Sequence, residues 1–257
     1  MPKKRKPSAL RRWAEKDGRG YPDWAMRYVP VVKTLRPWLE QPGFVIEIGA
    51  NANGLGRFTR RPVVAVDLSM EHLRECRASQ RVAAVVRADM MALPFADASA
   101  IACVCMDSFE HTSRAGRDAA CAEMMRILRP DGAAAIGFPA GTAAFEAEAR
   151  IRAAYYRYTG GVIRWFEEHV TNGLPTGVRI YAHLREVAGA ERRVLRTGNA
   201  NIWLWEWMWL VLMCGWPGRG NNLAQAVLRA LTPLLVLCHF GPCYRTMLWV
   251  FPRKPRR

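Results

Sequence analysis

The sequence predicts an α/β fold with a mostly parallel seven-stranded sheet and helices on both faces. Short apolar segments alternate with helical ones along the chain, which is typical of βαβ crossovers. The predicted strands are apolar almost throughout, as strands that helices cover on both faces must be. An acidic residue follows each of the first four strands, at the sheet edge where open parallel sheets bind ligands.

The elements follow from hydrophobic periodicity and from the residues that break it. Apolar positions at helical spacing predict an amphipathic helix over 21–40, which Pro42 and Gly43 end. Ser69 is a suitable N-cap for a helix over 70–79. Further helices are predicted at 117–128, 143–159 and 176–189. The seven predicted strands are 44–46, 63–66, 82–86, 100–106, 133–138, 190–197 and 244–251.

A glycine-containing loop and the four acids point to a nucleoside-type cofactor. The loop spans 47–54, and Gly49 and Gly54 would let backbone approach a ligand closely. A carboxylate after the second strand can accept both ribose hydroxyls. The loop alone is weak evidence for a cofactor site, because dinucleotide-binding folds share it and a surface Asn-Gly turn looks similar. The acids that follow the four strands make the prediction specific: Glu47, Asp67, Asp89 and Asp107.

Residues 43–140 resemble the class I S-adenosylmethionine (SAM)-dependent methyltransferases, in particular the type 11 group. The resemblance rests on five segments in the usual order, which are 45–49, 64–69, 88–97, 107–111 and 126–132. It implies a Rossmann-like fold and SAM as the cofactor. It says nothing about the methyl acceptor.

Within the glycine loop, the resemblance implies that Glu47 and Gly49 shape the pocket for the methionine part of SAM. The chain departs from the usual pattern at one position, because Asn51 stands where a second glycine is typical and Gly54 comes later. Asn tolerates positive φ better than most side chains. We therefore expect a distorted loop that still binds the cofactor.

The remaining implied cofactor contacts follow strands two, three and four. Asp67 would bind the ribose hydroxyls, and Asp89 would bind the adenine amino group. Leu68 and Met90 would lie on the two faces of the adenine ring. The backbone near Met106 would receive the methionine ammonium group.

Methyl transfer to a hydroxyl needs a group that takes the acceptor's proton. His111 follows strand four and suits this role at neutral pH, while Asp107 and Glu110 are weaker catalytic candidates. The alternative for His111 is that it only orders the loop. Residues 167–169 lie in the insertion after strand five and could reach the site, although the sequence favours an exposed helical face for them.

Two apolar segments, 202–214 and 223–240, lie between the last two strands and form a predicted helical insertion. The first carries Trp203 and Trp207 as one i,i+4 pair and Trp205 and Trp209 as another. In the second, the polar residues fall on one stripe, which consists of Gln225, Arg229 and Thr232. Both segments are marginal or too short for a bilayer span. A hairpin in the membrane interface is favoured, with core packing or a homodimer interface as the alternative.

The charge and the cysteine content limit the binding partners, metal sites and cellular location that the sequence predicts. Ten cations in the first 12 and last five residues account for most of the net charge of +16, which leaves +6 for residues 13–252. Such tails are drawn to phospholipid or RNA, and the alternative is that they are simply solvated ends. No Cys or His cluster has zinc-ligand spacing, so no metal site is predicted. The reduced thiols and the lack of a secretory signal favour the cytoplasm, with peripheral contact at the inner membrane.

These observations predict a basic tail at 1–20 and one methyltransferase domain at 21–257, with insertions at 143–189 and 202–240. The predicted acceptor is a small molecule, a glycan or a lipid-linked molecule. An RNA methyltransferase is less favoured, because the core is only modestly basic. A non-catalytic SAM-binding or scaffold protein is the alternative from another class, and Asn51 is the residue that favours it.

Overall fold

The computed structural model describes residues 21–212 and 222–253. The predicted tail at 1–20, residues 254–257 and most of the turn predicted at 215–222 lie outside the described residues. The described chain forms one seven-stranded sheet with the strand order β3-β2-β1-β4-β5-β7-β6. The strands are β1 (Phe44–Ile48), β2 (Val63–Asp67), β3 (Val82–Arg87), β4 (Ala100–Met106), β5 (Leu128–Pro139), β6 (Arg192–Asn201) and β7 (Cys243–Pro252).

The sheet is parallel except at β7, which pairs antiparallel with β5 on one side and with β6 on the other. The order of the strands reverses between β1 and β4, so their carboxyl ends border the crevice where a ligand binds in such folds. The predicted α/β architecture and all seven strands are confirmed.

The helices are α1 (Tyr21–Leu39), α2 (Met70–Ser79), α3 (Arg114–Ile127), α4 (Gly141–Thr159), α5 (Arg164–Asn172), α6 (Gly177–Ala188), α7 (Ile202–Leu212) and α8 (Asn222–Leu235). One face of the sheet packs against α3 and α6, and the other packs against α1 and α2. Helices therefore cover both faces, as predicted. Ser69 caps α2 by accepting a hydrogen bond from the His72 N–H, which confirms the predicted N-cap.

The segment 130–132 is extended, although its Pro-Asp-Gly sequence suggested only a break after a helix. It lies within β5, which begins at Leu128 and joins the sheet with a register shift opposite Ala100 and Ala102. The side chain of Arg129 also binds both oxygens of Asp131, at 2.9 and 3.0 Å. Pairing with β4 and this local ion pair hold the segment extended.

A helical layer stands over the carboxyl edge of the sheet. It consists of α4, α5, α7 and α8, and it packs on the first turns of α1. Trp205 and Trp209 of α7 are buried in this layer, where the Trp205 ring stacks on the Tyr244 ring. The other pair, Trp203 and Trp207, is exposed. Core packing was the alternative interpretation of the insertion, and it applies to two of the four tryptophans of α7.

Helix α8 is oriented with its polar stripe toward the protein. Gln225, Arg229 and Thr232 are buried, and the guanidinium of Arg229 lies over the Tyr21 ring. The opposite side carries exposed leucine and valine side chains. The buried side also includes Ala226, Leu228 and Leu235. Water-facing helices ordinarily carry polar side chains on the exposed side. In the described parts of the chain, no helix combines the length and the apolar character needed to cross a bilayer.

Candidate functional site

The loop after β1 is held at the carboxyl edge of the sheet by its own backbone. The N–H groups of Gly49 and Ala50 both donate to the carbonyl oxygen of Val66 at the end of β2, at 2.8 and 3.0 Å. Gly49 has a φ of +71°, and a Cβ added there would lie 1.9 Å from the Ser108 Oγ atom. A side chain at this position would both strain the backbone and displace Ser108.

Glu47 lies beneath this loop and organises it. Its Oε1 atom accepts a hydrogen bond from the Leu55 N–H at 2.7 Å, and the Tyr28 phenol donates to the same carboxylate. Burial raises the pKa of Glu47 to about 7, even though both hydrogen bonds act in the opposite direction. A Cβ at Gly54 would lie 2.5 Å from a Glu47 oxygen. Gly54 is therefore required by the neighbouring carboxylate, in addition to any approach of a ligand.

Asn51 occupies the position where the resemblance leads one to expect glycine. The non-glycine residues with positive φ in the described part of the chain are Ala98, Asp107 and Ala200, so the expectation that Asn51 adopts positive φ is wrong. Its side-chain oxygen instead accepts a hydrogen bond from the Asn53 N–H at 3.0 Å, which forms an Asx turn. With this turn, the loop does not need the positive φ that a glycine at position 51 would have allowed.

The residues predicted to contact a nucleoside follow β2 and β3. Asp67 accepts a hydrogen bond from the Ser69 N–H at 2.7 Å through its Oδ1 atom, and neither this contact nor the one to His72 uses Oδ2. Leu68 beside it is 60% exposed, which leaves it available to pack on a flat ring. Asp89 and Met90, at the end of the neighbouring strand, are half-buried.

The end of β4 holds a buried ion-pair network. Both oxygens of Asp107 accept from the Nε–H of Arg245, at 3.0 and 2.7 Å, and Arg27 lies 3.1 Å away. Arg245 and Arg27 also bind Asp23, at 2.8 and 2.6 Å. Burial opposes ionisation of Asp23, but the two guanidinium groups outweigh it and lower its pKa to about 2. Since both oxygens of Asp107 contact cations, this residue is poorly suited to take a proton.

Asp107 also has a φ of +49°, and its N–H donates to the Gly137 carbonyl at 2.7 Å. This is a strained conformation for a residue with a side chain, although Asp adopts it more readily than most. The side chain of Met106 is buried in the core, so only its backbone borders the crevice.

The two other predicted catalytic residues lie in a 3₁₀ turn, Phe109–His111, just after β4. Glu110 is buried, and burial raises its pKa well above the usual range, with Asp107 adding to the effect. The His111 Nδ1 atom lies 2.9 Å from Glu168 of α5. Burial lowers the pKa of His111, and the neighbouring His169 lowers it further.

His169 of α5 is buried, so an exposed face is the wrong prediction for this residue. Its ring lies 4.9 Å from the His111 ring, measured between centroids. Its Nδ1 atom is 2.9 Å from Glu148 of α4, and Glu148 also accepts a hydrogen bond of 2.6 Å from the Tyr244 hydroxyl. Arg117 fixes α5 against the 3₁₀ turn by donating to the carbonyl oxygens of Phe109 and Gly173.

Several of these residues escape prediction from the sequence because no short-range pattern marks them. Asp23 and Arg245 lie near opposite ends of the described chain, and only the fold brings them to Asp107. Glu148 is not singled out because an acid within a helix usually faces solvent. A hint is available in α4 itself, where Glu148 falls on the same helical face as Ala144 and Ile151.

Comparisons with known proteins agree with this geometry. Residues 47–136 match the family model described as "Methyltransferase domain" (type 11). The matched segment runs from Glu47 into β5 and contains the glycine loop and all four acids. A comparison with curated proteins found no match.

Solved structures with the same fold cover most of the chain at low sequence identity. A chain from the complex of the Haloferax volcanii Trm112 methyltransferase activator with a methyltransferase is 16% identical, covers 95% of this chain and 96% of that chain, and gives a TM-score of 0.51. Geranyl diphosphate C-methyltransferase from Streptomyces coelicolor, solved with Mg²⁺, geranyl diphosphate and S-adenosyl-L-homocysteine, is 14% identical, with coverages of 88% and 77% and a TM-score of 0.51. The (4+2)-cyclase SpnF is 16% identical, with coverages of 91% and 81% and a TM-score of 0.51.

The match over residues 47–136 and the fold together support a class I methyltransferase. The family match and the fold together indicate S-adenosylmethionine as the cofactor of this methyltransferase domain. At these identities the solved structures establish the fold alone, and the cyclase illustrates that one fold serves more than one reaction.

Proposed function

We propose that this class I methyltransferase transfers the methyl group of SAM to an acceptor that is presented at a membrane surface, with a lipid-linked molecule as the first candidate. The observation that carries the proposal is the orientation of α8, whose polar stripe is buried and whose apolar side is exposed. In solution this arrangement is unfavourable, because apolar surface stays in contact with water.

The exposed side chains form what we call the apolar face, in which each member exposes more than a third of its surface. It consists of Trp203, Trp207, Leu223, Val227, Leu231, Leu234, Leu237 and Phe240. The Trp203 ring lies against Gly241, directly after Phe240, which joins the α7 and α8 parts of the face. Tryptophan and leucine beside a bilayer favour the depth of the headgroups and the upper acyl chains.

The location of the apolar face relates it to the proposed chemistry. Helix α7 begins directly after β6 at Asn201, at the same edge of the sheet as the glycine loop. Trp205 of α7 donates to Asp23, which belongs to the ion-pair network around Asp107. A membrane bound at the apolar face would therefore present an acceptor near the residues that follow β4.

The proposed cofactor contacts are those predicted from the sequence, and the structure offers groups that fit them. Asp67 has an uncommitted oxygen for the ribose, and Leu68 offers an exposed apolar side chain for the adenine ring. SAM, when bound, supplies the methyl group on a sulfonium. The chain's part is to align the acceptor for in-line attack and to exclude water. The acceptor would lose its proton beside Glu110, His111 and His169.

Vesicle flotation tests the membrane part of the proposal. We expect the wild-type protein to float with vesicles that contain phosphatidylglycerol, and the double variant Leu234→Glu, Leu237→Glu to remain at the bottom. Val178→Glu is the matched control, because Val178 is an exposed residue on α6, away from the apolar face. A wild-type protein that stays at the bottom, or that instead elutes as a dimer broken by the same double variant, contradicts the proposal.

Transfer of label from SAM to fractionated cell material tests the acceptor class. We expect label in the fraction extracted by chloroform and methanol. Label in RNA would support the RNA methyltransferase alternative. SAM binding without label in any fraction would support a non-catalytic SAM-binding protein.

A further inference from the structure

Three side chains of metal-binding type converge beyond the end of β4. Glu110, His111 and His169 each offer one ligand atom, and these atoms all lie within 4.8 Å of one another. Two ligands come from the 3₁₀ turn and one from α5, so the set is assembled by the fold. Zinc-type spacing in the sequence could not have revealed it, because His169 is remote from the other two.

Two of the three side chains carry a buried atom without a partner. Glu110 is 1% exposed and His169 is 2% exposed, and neither the Glu110 Oε2 atom nor the His169 Nε2 atom has a hydrogen bond to a described residue. A buried polar atom left in this state costs about 1–3 kcal/mol. Both atoms belong to the same cluster, so a single ion would satisfy both of them.

The other nitrogen of each histidine is held by a carboxylate. The His169 Nδ1 atom forms a hydrogen bond of 2.9 Å with Glu148, and the His111 Nδ1 atom lies 2.9 Å from Glu168. Since a carboxylate accepts, the contact with Glu148 places the proton of His169 on Nδ1 and leaves its Nε2 lone pair free. Metal-binding histidines have this arrangement in almost every case, because the carboxylate fixes the ring and raises its basicity.

Among the described residues, no arginine or lysine forms an ion pair with the Glu110 carboxylate. Arg117 donates to the carbonyl oxygens of Phe109 and Gly173, and Arg27 lies between Asp23 and Asp107. A buried carboxylate that lacks a cationic partner is unfavourable in its ionised form. A divalent ion would supply the missing charge at the atom that lacks a partner.

We propose that Glu110, His111 and His169 bind one divalent transition-metal ion. Two imidazoles and one carboxylate suit Mn²⁺, Fe²⁺, Co²⁺ or Zn²⁺ better than Mg²⁺, which prefers oxygen ligands. Bound ligand atoms lie about 3 Å apart, as bond lengths of about 2.1 Å imply, so the cluster contracts on binding. Three protein ligands leave coordination positions open, and His111, which is 34% exposed, lies on the solvent side.

The role of the ion rests on the proposed methyl transfer, whereas its binding does not. The open positions would bind the hydroxyl oxygen of the acceptor and lower its pKa, so that its proton leaves to water. The oxygen then forms a bond to the methyl carbon, and the carbon–sulfur bond breaks with its electron pair on sulfur. The products are a methyl ether and S-adenosylhomocysteine.

Cobalt titration of the untagged full-length protein, purified with a chelator, tests the proposal. We expect one Co²⁺ per chain, visible as d–d absorption, and competition by Zn²⁺. Glu110→Gln and His169→Gln should each weaken Co²⁺ binding by at least about 100-fold. His183→Gln is the matched control and should bind as the wild type does, because His183 contacts Asp118, outside the cluster.

Circular dichroism and SAM binding report whether each variant folds, and the partly exposed His111→Ala replaces any buried variant that does not. The proposal is overturned if the wild-type protein shows no d–d absorption at millimolar Co²⁺, or if the cluster variants bind Co²⁺ as tightly as His183→Gln. Co²⁺ binding with no methyl transfer to any fraction would refute the proposed function and leave the metal site standing.

Discussion

Replacing Glu47 by Gln should make the protein more stable at neutral and alkaline pH. Folding raises the pKa of this carboxyl from its ordinary value of 4.5 to about 7, mainly because the side chain is buried. The folded state therefore holds a proton that the unfolded state has released. The stabilisation that this provides is fully present below pH 4.5 and is lost as the pH rises through 7.

The shift corresponds to about 3 kcal/mol, at 1.36 kcal/mol for each pKa unit. A glutamine side chain at this position would keep an oxygen that accepts from the Leu55 N–H and has no proton to lose. The free energy of unfolding of Glu47→Gln, relative to the wild type, should thus rise by about 3 kcal/mol between pH 4.5 and pH 7.5. For a domain of this size that equals roughly 6–12 °C in Tm.

Urea unfolding of the protein without SAM, followed by tryptophan fluorescence at several pH values, measures this difference. Glu40→Gln is the matched control, because it makes the same substitution at an exposed acid, which pairs with Arg36 at the surface. A difference for Glu47→Gln that does not depend on pH would refute the reasoning, because the pKa of Glu47 would then be the same in the folded and the unfolded protein.

Two further variants test the packing of the site. Gly49→Ala should lower the free energy of unfolding by about 1–3 kcal/mol in denaturant titrations and weaken SAM binding. The reason is that Gly49 has a positive φ and that a side chain there would contact Ser108. An unchanged unfolding midpoint would show that the loop relaxes freely. Arg245→Met leaves the buried carboxylates Asp23 and Asp107 with one cation fewer and should cost about 3–5 kcal/mol; a loss below about 1 kcal/mol would show that Arg27 alone suffices.

The sheet was predictable because its signals are local. Each strand is an apolar segment that ends at an acid or a turn, and Ser69 marks the start of α2 through its own hydrogen bond. The right-handed βαβ crossovers then restrict the strand orders that the parallel part of the sheet can adopt. The glycine loop was predictable in position, whereas the φ angle of Asn51 was not, because its Asx turn depends on the neighbouring residues.

The part of the site beyond β4 was predictable only in part. His111 and Glu110 could be named from their position after a strand, but their pairing with His169 depends on how α5 docks on the 3₁₀ turn. The sequence pattern of α8 correctly placed its polar residues on one stripe. It could not tell which side faces the protein, because that depends on packing against α1 and α7.

Calorimetric titration with SAM tests the central assignment most directly. We expect the wild-type protein to bind SAM and Asp67→Ala to bind it at least about 100-fold more weakly, because hydrogen bonds that the ribose hydroxyls donate to a carboxylate contribute about 3 kcal/mol. Asp97→Ala is the matched control, because Asp97 pairs with Arg126 at the surface, and its affinity should be unchanged. A wild-type protein that does not bind SAM, or an Asp67→Ala variant that binds it as tightly as the wild type, would contradict the assignment.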